Sequence, residues 1–350
     1  MVPTPKFIIS KKKVLEQYNK IRKLCDTVSY SSKTNPFITE ILEENTDSMF
    51  SLHMASELKH IKDNSRVLFL AQGFNHQDIK ELTARGINWF VVDNEHDLNN
   101  LLDFLKKNNI SINLLLRLKL KENTIKTEKY FAFGMNSETV NKKIRELRSN
   151  KNIKNLGIHF HRKTQNMSEW DLKYEFENAI DKDILPMIDI VNIGGGLPSD
   201  YANTNMNVLD NIFIKLEEFW SFLNKNNIKM MIEPGRFIAA PAGKLATKII
   251  LIYENNIIVN ASVYHGDLDA LIVPVKLKVE GEVDQSKGRP YVVKGVTPCS
   301  MDIFRYRVYL PDTKVAVGKE LVFLNAGAYN FSTDFCDLYP LKTEIVDDFN

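Results

Sequence analysis

Cysteine is scarce in this chain, with Cys25, Cys299 and Cys336 the only three among 350 residues. An odd number without repeated spacing excludes a disulfide framework and reads as reduced thiols. Long apolar runs are missing as well. Nothing approaches the roughly 20 residues that a membrane-crossing helix needs, and the opening MVPTPKFIIS carries only a short apolar patch before Lys11–Lys13. A cytoplasmic protein is therefore expected. Neither sign of charge dominates, with 46 Lys and Arg against 44 Asp and Glu, so no nucleic-acid footprint is expected. No low-complexity linker or internal repeat interrupts the chain, and no metal site is expected.

What is present is alternation. Eight β-rich runs, Thr27–Ser32, Ser48–Leu52, Arg66–Ala71, Trp89–Asp93, Ser111–Leu118, Asn155–His161, Asp189–Ile193 and Lys229–Glu233, are separated by polar segments. Several of those segments repeat apolar residues at helical spacing, among them Asn35–Glu44, Glu95–Lys107, Ser137–Arg148 and Val208–Lys225. Alternating β and α units require parallel strands, and eight of them can close into a (β/α)8 barrel. An open doubly wound sheet would show the same alternation.

After Ala240 the pattern changes to β-like runs at Leu245–Tyr253, Ile257–Val263, Leu271–Val279, Arg289–Lys294 and Glu320–Asn325. The expected architecture is α/β: a TIM-like barrel over residues 26–243, with residues 1–25 and 244–350 forming a second, all-β domain. Lys6–Ser10 is itself β-like and is expected to return to that second domain.

Barrel enzymes carry their chemistry at the C-terminal ends of the strands, with phosphate loops often after the seventh and eighth. Gly194, Gly195 and Gly196 follow the seventh run, and Glu233, Pro234, Gly235 and Arg236 close the eighth. Glycines let backbone N–H groups approach an anion, and Arg236 can add a charge-assisted contact, although a triple glycine alone is more often a flexible turn. Lys33 ends the first run. Surface charge is the ordinary fate of a lysine, but in a barrel mouth partial desolvation would favour the free amine that a Schiff base requires. His161 ends the sixth run, where its flat ring can stack on an aromatic cofactor.

Taken in order, Tyr-x-x-Lys-x-Asn at Tyr30, Gly-x-His-Phe-His at Gly157, Asn-x-Gly-Gly-Gly-x-Pro at Asn192, Glu-Pro-Gly-Arg at Glu233 and Gly-Ala-Tyr at Gly327 resemble the ornithine/diaminopimelate/arginine decarboxylases. The resemblance spans nearly the whole chain and implies an alanine-racemase-like barrel with a β-domain, and pyridoxal 5'-phosphate as cofactor. It implies that Lys33 holds the cofactor and that His161 stacks on its ring. Thr164, the glycines 194–196, Gly235, Arg236 and Tyr329 would meet the cofactor, and Glu233 would face the ring nitrogen. A carboxylate there keeps that nitrogen protonated and favours decarboxylation over racemisation.

The segment Gly295–Asp302 resembles the family loop that enters the active site from the partner of a homodimer. Pro298 stands where the family cysteine is usual, and Cys299 takes the next place. Cys299 or a water would then protonate the product carbon, and Asp302 would meet a distal ammonium of the substrate. Asp267, Asp269 and Asp334 are further acidic candidates without a rank. The expected function is decarboxylation of an ornithine- or lysine-like amino acid to a diamine and CO2. The alternatives are decarboxylation of meso-diaminopimelate or a bulkier amine-bearing acid, and a catalytically silent regulatory homologue. Retention of Lys33, Glu233 and Arg236 speaks against the last.

Overall fold

The computed structural model describes residues 4–120, 132–329 and 332–349. They group into two compact units, one within Tyr18–Pro198 and Asn207–Gly235, the other within Met1–Gln17, Ser199–Met206 and Arg236–Asn350.

A first strand, β1 (Lys6–Ser10), and helix α1 (Lys11–Arg22) precede the barrel. Its eight strands are β2 (Thr27–Ser31), β3 (Met49–Leu52), β4 (Val67–Ala71), β5 (Trp89–Val92), β6 (Ile112–Arg117), β7 (Ile153–His159), β8 (Ile190–Asn192) and β9 (Lys229–Ile232). Every neighbouring pair is parallel and β9 pairs back onto β2, through Thr27 with Met231, so the sheet closes. The closed barrel decides between the two architectures that alternation alone had left open. Leu68, Val91, Leu115, Ile190 and Met231, from five of the strands, are buried against one another. Burial of each such side chain stabilises by about 1.5–3 kcal/mol relative to exposure.

Helices between the strands start where short polar side chains satisfy the free N–H groups of the first turn. Asn35 caps α2 (Pro36–Asn45), Asn75 caps α3 (His76–Ala84), Asn94 caps α4 (Glu95–Asn108) and Asn136 caps α5 (Ser137–Leu147). The last two barrel helices are α6 (Leu172–Ala179) and α7 (Leu209–Lys225).

The second unit is built on a sheet in the order Lys278–Val279, Glu320–Leu324, Gly243–Tyr253, Asn256–Val259, Arg289–Lys294, Ile303–Leu310. Strand β1 pairs antiparallel with Gly243–Tyr253 and parallel with Lys342–Val346. The return of the N-terminal strand to this sheet matches the expectation for Lys6–Ser10.

One local expectation fails here, and one strand lies outside the expected runs. Leu271–Val279 is not one strand: Asp269–Ile272 is a helical turn, and strand resumes only at Lys278–Val279. The side chain of Asp269 is bound to Arg236, and its carbonyl accepts the N–H of Val273, which curls the chain. Conversely, Ile303–Leu310 is a strand despite Arg305 and Arg307. Arg305 is buried with its guanidinium donating to the Leu277 carbonyl and to Glu282.

Candidate active site

Lys33 lies in a single 3-10 turn, Ser32–Thr34, between the end of β2 and the start of α2. The residues around it explain the turn. Asn35 accepts the Phe37 N–H and Pro36 opens the helix with a φ already suited to it. Tyr30, fully buried, donates its hydroxyl to the Asn35 carbonyl, and Ser32 bonds Thr39 at 2.8 Å. The Pro234 carbonyl accepts the Ser31 N–H, tying the loop after β9 to the strand that carries the lysine. At Gly235 a Cβ would come 2.3 Å from Thr34 Oγ1, so that loop packs against the lysine turn only because the residue is glycine.

The Lys33 side chain is exposed, where partial desolvation was expected. Its Nζ stands 3.4 Å from Nε2 of His53, the residue directly after β3. Burial pushes the His53 imidazole down to about 4, with Lys33, Arg117 and His159 adding to the effect and Glu233 opposing it.

Glu233, just past β9, is buried. Asn192, the last residue of β8, donates its amide to Glu233 Oε1 at 2.6 Å, and His159 Nε2, at the end of β7, lies 3.4 Å from the same oxygen. Burial alone would raise the Glu233 carboxyl, but His159, His53 and Asn192 outweigh it and hold it down to about 2. Across the rim, Arg117 at the end of β6 donates to Asp93 at 3.2 Å.

His161 is two residues beyond the end of β7, not within the strand. Its ring is open to solvent, yet the barrel rim crowds it and pushes its pKa down, with His159, Arg117 and Lys33 acting in the same direction and Glu233 against. Its Nδ1 accepts the Gly195 N–H at 3.1 Å, and the Gly194 N–H goes to Asn192 Oδ1 at 2.8 Å. Two of the three glycine N–H groups are therefore bonded within the protein, which corrects the picture of three free donors. The glycines are required by close approach: a Cβ would lie 2.6 Å from the Phe160 carbonyl at Gly194, 2.6 Å from the Glu233 carbonyl at Gly195, and 2.7 Å from the Lys163 carbonyl at Gly196. Thr164 is half-buried in the loop from His161 whose Lys163 carbonyl faces Gly196.

Within the β-rich unit, Arg236 is buried and forms a two-pronged ion pair with Asp269, while donating to the Tyr201 hydroxyl at 2.8 Å. Burial works against its charge, but Asp269 and Tyr201 outweigh it and raise its pKa. The rings of Tyr329 and Tyr201 lie 4.9 and 5.6 Å from the guanidinium carbon. Tyr329 takes a left-handed backbone, φ 55°. The neighbouring Asp267 is buried, and burial together with Asp269 pushes its carboxyl well up.

In the Gly295–Asp302 loop, Asp302 is buried and its carboxylate accepts from Val263 N at 2.8 Å, Thr297 N at 3.0 Å and the Thr297 hydroxyl at 2.6 Å. Cys299 is half-exposed, 3.0 Å from the Tyr264 hydroxyl, and its hydrogen bonds with that hydroxyl and with the Met301 backbone lower the thiol pKa. Tyr264 stacks on Phe335 at 4.0 Å. Asp334 caps the short turn Phe335–Asp337 without a side-chain bond to it.

The barrel mouth thus brings together Lys33, His161, Glu233 and the glycine run, and adds His53, His159 and Asn192. Sequence reasoning passed over these three as individual residues.

Residues 11–240 match the profile described as pyridoxal-dependent decarboxylase, pyridoxal binding domain. The chain belongs to the pyridoxal-dependent decarboxylase family. It is a carboxy-lyase, and pyridoxal phosphate is its cofactor.

Within that family, a curated relative is the 2-[(L-alanin-3-ylcarbamoyl)methyl]-2-hydroxybutanedioate decarboxylase of Staphylococcus aureus, 23% identical over 306 residues, which are 79% of this chain and 75% of that protein. Among solved structures, the lysine/ornithine decarboxylase of Vibrio vulnificus complexed with putrescine superposes with a TM-score of 0.77 at 22% identity, covering 99% of this chain and 95% of that one. The diaminopimelate decarboxylase of Helicobacter pylori complexed with L-lysine gives 0.80 at 18% identity, covering 100% and 93%. These likenesses carry the decarboxylase fold: a closed parallel barrel and a second, mostly β unit.

The donor set of the mouth fits the cofactor chemically. An accessible primary amine at Lys33 suits an aldehyde, and the buried Glu233, held ionised, suits a protonated ring nitrogen. No described helix is long and apolar enough to cross a membrane.

Proposed function

We propose that this decarboxylase acts on a basic amino acid of the ornithine or lysine type and releases CO2 and a diamine. The observation that carries the reading is Glu233, a buried carboxylate kept ionised in the barrel mouth that also holds Lys33. Bound pyridoxal phosphate supplies the electron sink for the pair left behind when CO2 departs. Lys33 would hold the cofactor covalently, Glu233 would keep a proton on the ring nitrogen, and His161 would meet the ring. The Gly194–Gly196 turn, Thr164, Gly235, Arg236 and Tyr329 are assigned to its phosphate side by the motif resemblance. Cys299 is the proposed carrier of the proton that the product carbon takes up, and a homodimer is proposed from the likeness of its loop to one shared between subunits. Support for a diamine product comes from solved relatives whose structures hold putrescine or cadaverine.

A second reading has its own observation. Asp302 is committed to its own loop and Asp269 to Arg236, so two of the acids that would meet a distal ammonium already have partners. This favours a substrate with a bulkier, differently charged far end, such as meso-diaminopimelate or a conjugate like that in the name of the Staphylococcus aureus relative.

Release of CO2 from ornithine, lysine, arginine, meso-diaminopimelate and a citrate-conjugated diamino acid separates the readings. Turnover of lysine or ornithine alone supports the first, and turnover of only the carboxylate-bearing substrates replaces it with the second. A protein that never develops the absorbance of lysine-bound cofactor, or keeps it after Lys33→Ala, overturns both.

A further inference from the structure

We propose that His53 is the positioning partner of Lys33, holding its amine by hydrogen bond in both the ammonium and the free-amine form; this rests on the reading of Lys33 as the cofactor lysine.

The geometry starts from strand register. Strands β2 and β3 are parallel with Ser31 opposite Ser51, so residues two further along on each, Lys33 and His53, are brought side by side beyond the strand ends. The His53 backbone is fixed there: Glu57 Oε2 accepts its N–H at 2.7 Å and that of Met54 at 2.8 Å, closing the turn that follows. The ring then places Nε2 3.4 Å from Lys33 Nζ, while Nδ1 is buried with no hydrogen-bond partner. An exposed lysine has four rotatable bonds, and holding its amine in one place costs about 2 kcal/mol of rotamer freedom unless a neighbour offsets it.

Imidazole suits this task for a specific reason. A neutral ring carries one N–H donor and one bare acceptor nitrogen, and the proton can sit on either. With Nε2 bare, the ring accepts from an ammonium. With the proton on Nε2, it donates to the lone pair of a free amine. A carboxylate at this position would be an acceptor only, could not donate to the lone pair of the free amine, and would favour the ammonium by its charge. Covalent attachment of the cofactor needs the free amine, so a partner for both forms keeps Lys33 in place throughout. The ring stays uncharged near neutral pH because burial disfavours its protonation and the cationic Lys33 and Arg117 reinforce this, with His159 in the same direction and Glu233 opposed.

The test uses the full chain, stripped of cofactor and then given pyridoxal phosphate. Lys33→Met should move the NMR titration midpoint of the His53 ring upward from about 4, because a neighbouring cation has gone. His53→Leu should slow the growth of the lysine-bound cofactor absorbance by roughly tenfold, the scale of one lost hydrogen bond. His53→Gln, which keeps a donor and an acceptor, should restore most of that rate, and His53→Asp should move the pH profile of attachment to higher pH. Equal attachment rates and identical pH profiles across wild type, Leu, Gln and Asp would overturn the proposal, as would a His53 midpoint indifferent to Lys33→Met. Borohydride reduction and peptide mapping of the wild-type protein check the underlying reading separately: a label on any residue but Lys33 removes that reading, and the role proposed for His53 with it.

Discussion

Asn192 joins the ends of two barrel strands with one side chain: its amide nitrogen donates to Glu233 Oε1 at 2.6 Å while its oxygen accepts the Gly194 N–H at 2.8 Å. The orientation of the buried carboxylate and the path of the glycine turn therefore depend on the same residue. The Gly195 N–H continues the chain of contacts to His161 Nδ1, so Glu233, the turn and the histidine ring are held as a unit.

Replacing Asn192 by leucine should remove both bonds and leave a buried carboxylate short of a donor. A loss of about 1–3 kcal/mol is expected from the unsatisfied group. The Glu233 carboxyl should also rise, since Asn192 is among the groups that lower it. Urea denaturation at neutral pH checks the first effect, and 13C NMR of the Glu233 carboxyl the second. An Asn192→Leu protein as stable as wild type, with an unmoved carboxyl, would show that the bond carries little.

The same carboxyl predicts a pH signature. Its folded-state value of about 2 lies below the ordinary 4.5. A depressed carboxyl contributes stability that is fully present above the unfolded value and is lost as pH falls through the folded one. Glu233 should thus contribute on the order of 3 kcal/mol above pH 5, vanishing towards pH 2. Stability of Glu233→Gln relative to wild type, measured from pH 6 to pH 2.5, should show the gap narrowing across that window. A constant gap would mean that the carboxyl titrates alike in the folded and unfolded states, so that its surroundings do not depress it.

Gly196 offers a backbone test. Its φ of 104° is one that side chains rarely adopt, and a Cβ would lie 2.7 Å from the Lys163 carbonyl. Gly196→Ala should lower stability by about 1–3 kcal/mol through strain and displacement of the loop that carries Thr164. Thermal melting checks the stability, and titration of pyridoxal phosphate into the cofactor-free protein should show weaker binding. An unaltered melting temperature would place the constraint elsewhere.

How much of this was legible in the sequence depended on which physical rule each residue obeyed. The barrel strands were readable because parallel strands buried on both faces give continuous apolar runs, as in Leu114–Leu116 and Met230–Ile232. The helix that follows Lys33 was readable because apolar residues recur at helical spacing through Asn35–Glu44. His53 was not, since a lone histidine has no local signature and acquires meaning only when register places it beside Lys33, and His159, inside the Gly-x-His-Phe-His motif, acquires its role only beside Glu233. Asp269 appeared among several acids of equal standing, and the helical turn that aims it at Arg236 ran against an apolar stretch that reads as strand. Ile303–Leu310 was not among the expected runs, and its Arg305 is accommodated in a strand by the buried Leu277 carbonyl that accepts from it.

Asp302 separates a structural from a substrate-facing role. Its carboxylate closes the loop through two backbone N–H groups and the Thr297 hydroxyl, and a Cβ on Gly295 would strike its Oδ1 at 2.0 Å. Asp302→Ala should cost about 3 kcal/mol or more, because three donors lose one charged acceptor. Asp302→Asn keeps a single acceptor oxygen and should lose less. Denaturation midpoints of both variants, beside KM for each substrate that proves active, give the answer. A large rise in KM without loss of stability would return Asp302 to substrate recognition.

Arg236 and Asp269 make the most demanding test of the energetics. Both are buried, and the pair also engages Tyr201. Removing one partner leaves an uncompensated buried charge, so Arg236→Met and Asp269→Leu should each cost about 3–5 kcal/mol. Removing both deletes the charges together, and the double variant should lose much less than the sum of the two. The desolvation cost of a buried pair nearly cancels its attraction, so a well-packed apolar pair can stand close to wild type in stability. Cofactor affinity then gives an independent readout. Arg236→Met loses a cation assigned to the phosphate, so pyridoxal phosphate should bind more weakly to that variant even where the double variant has regained its fold. If the double variant binds the cofactor as tightly as wild type, Arg236 serves the fold of its own unit and not the phosphate.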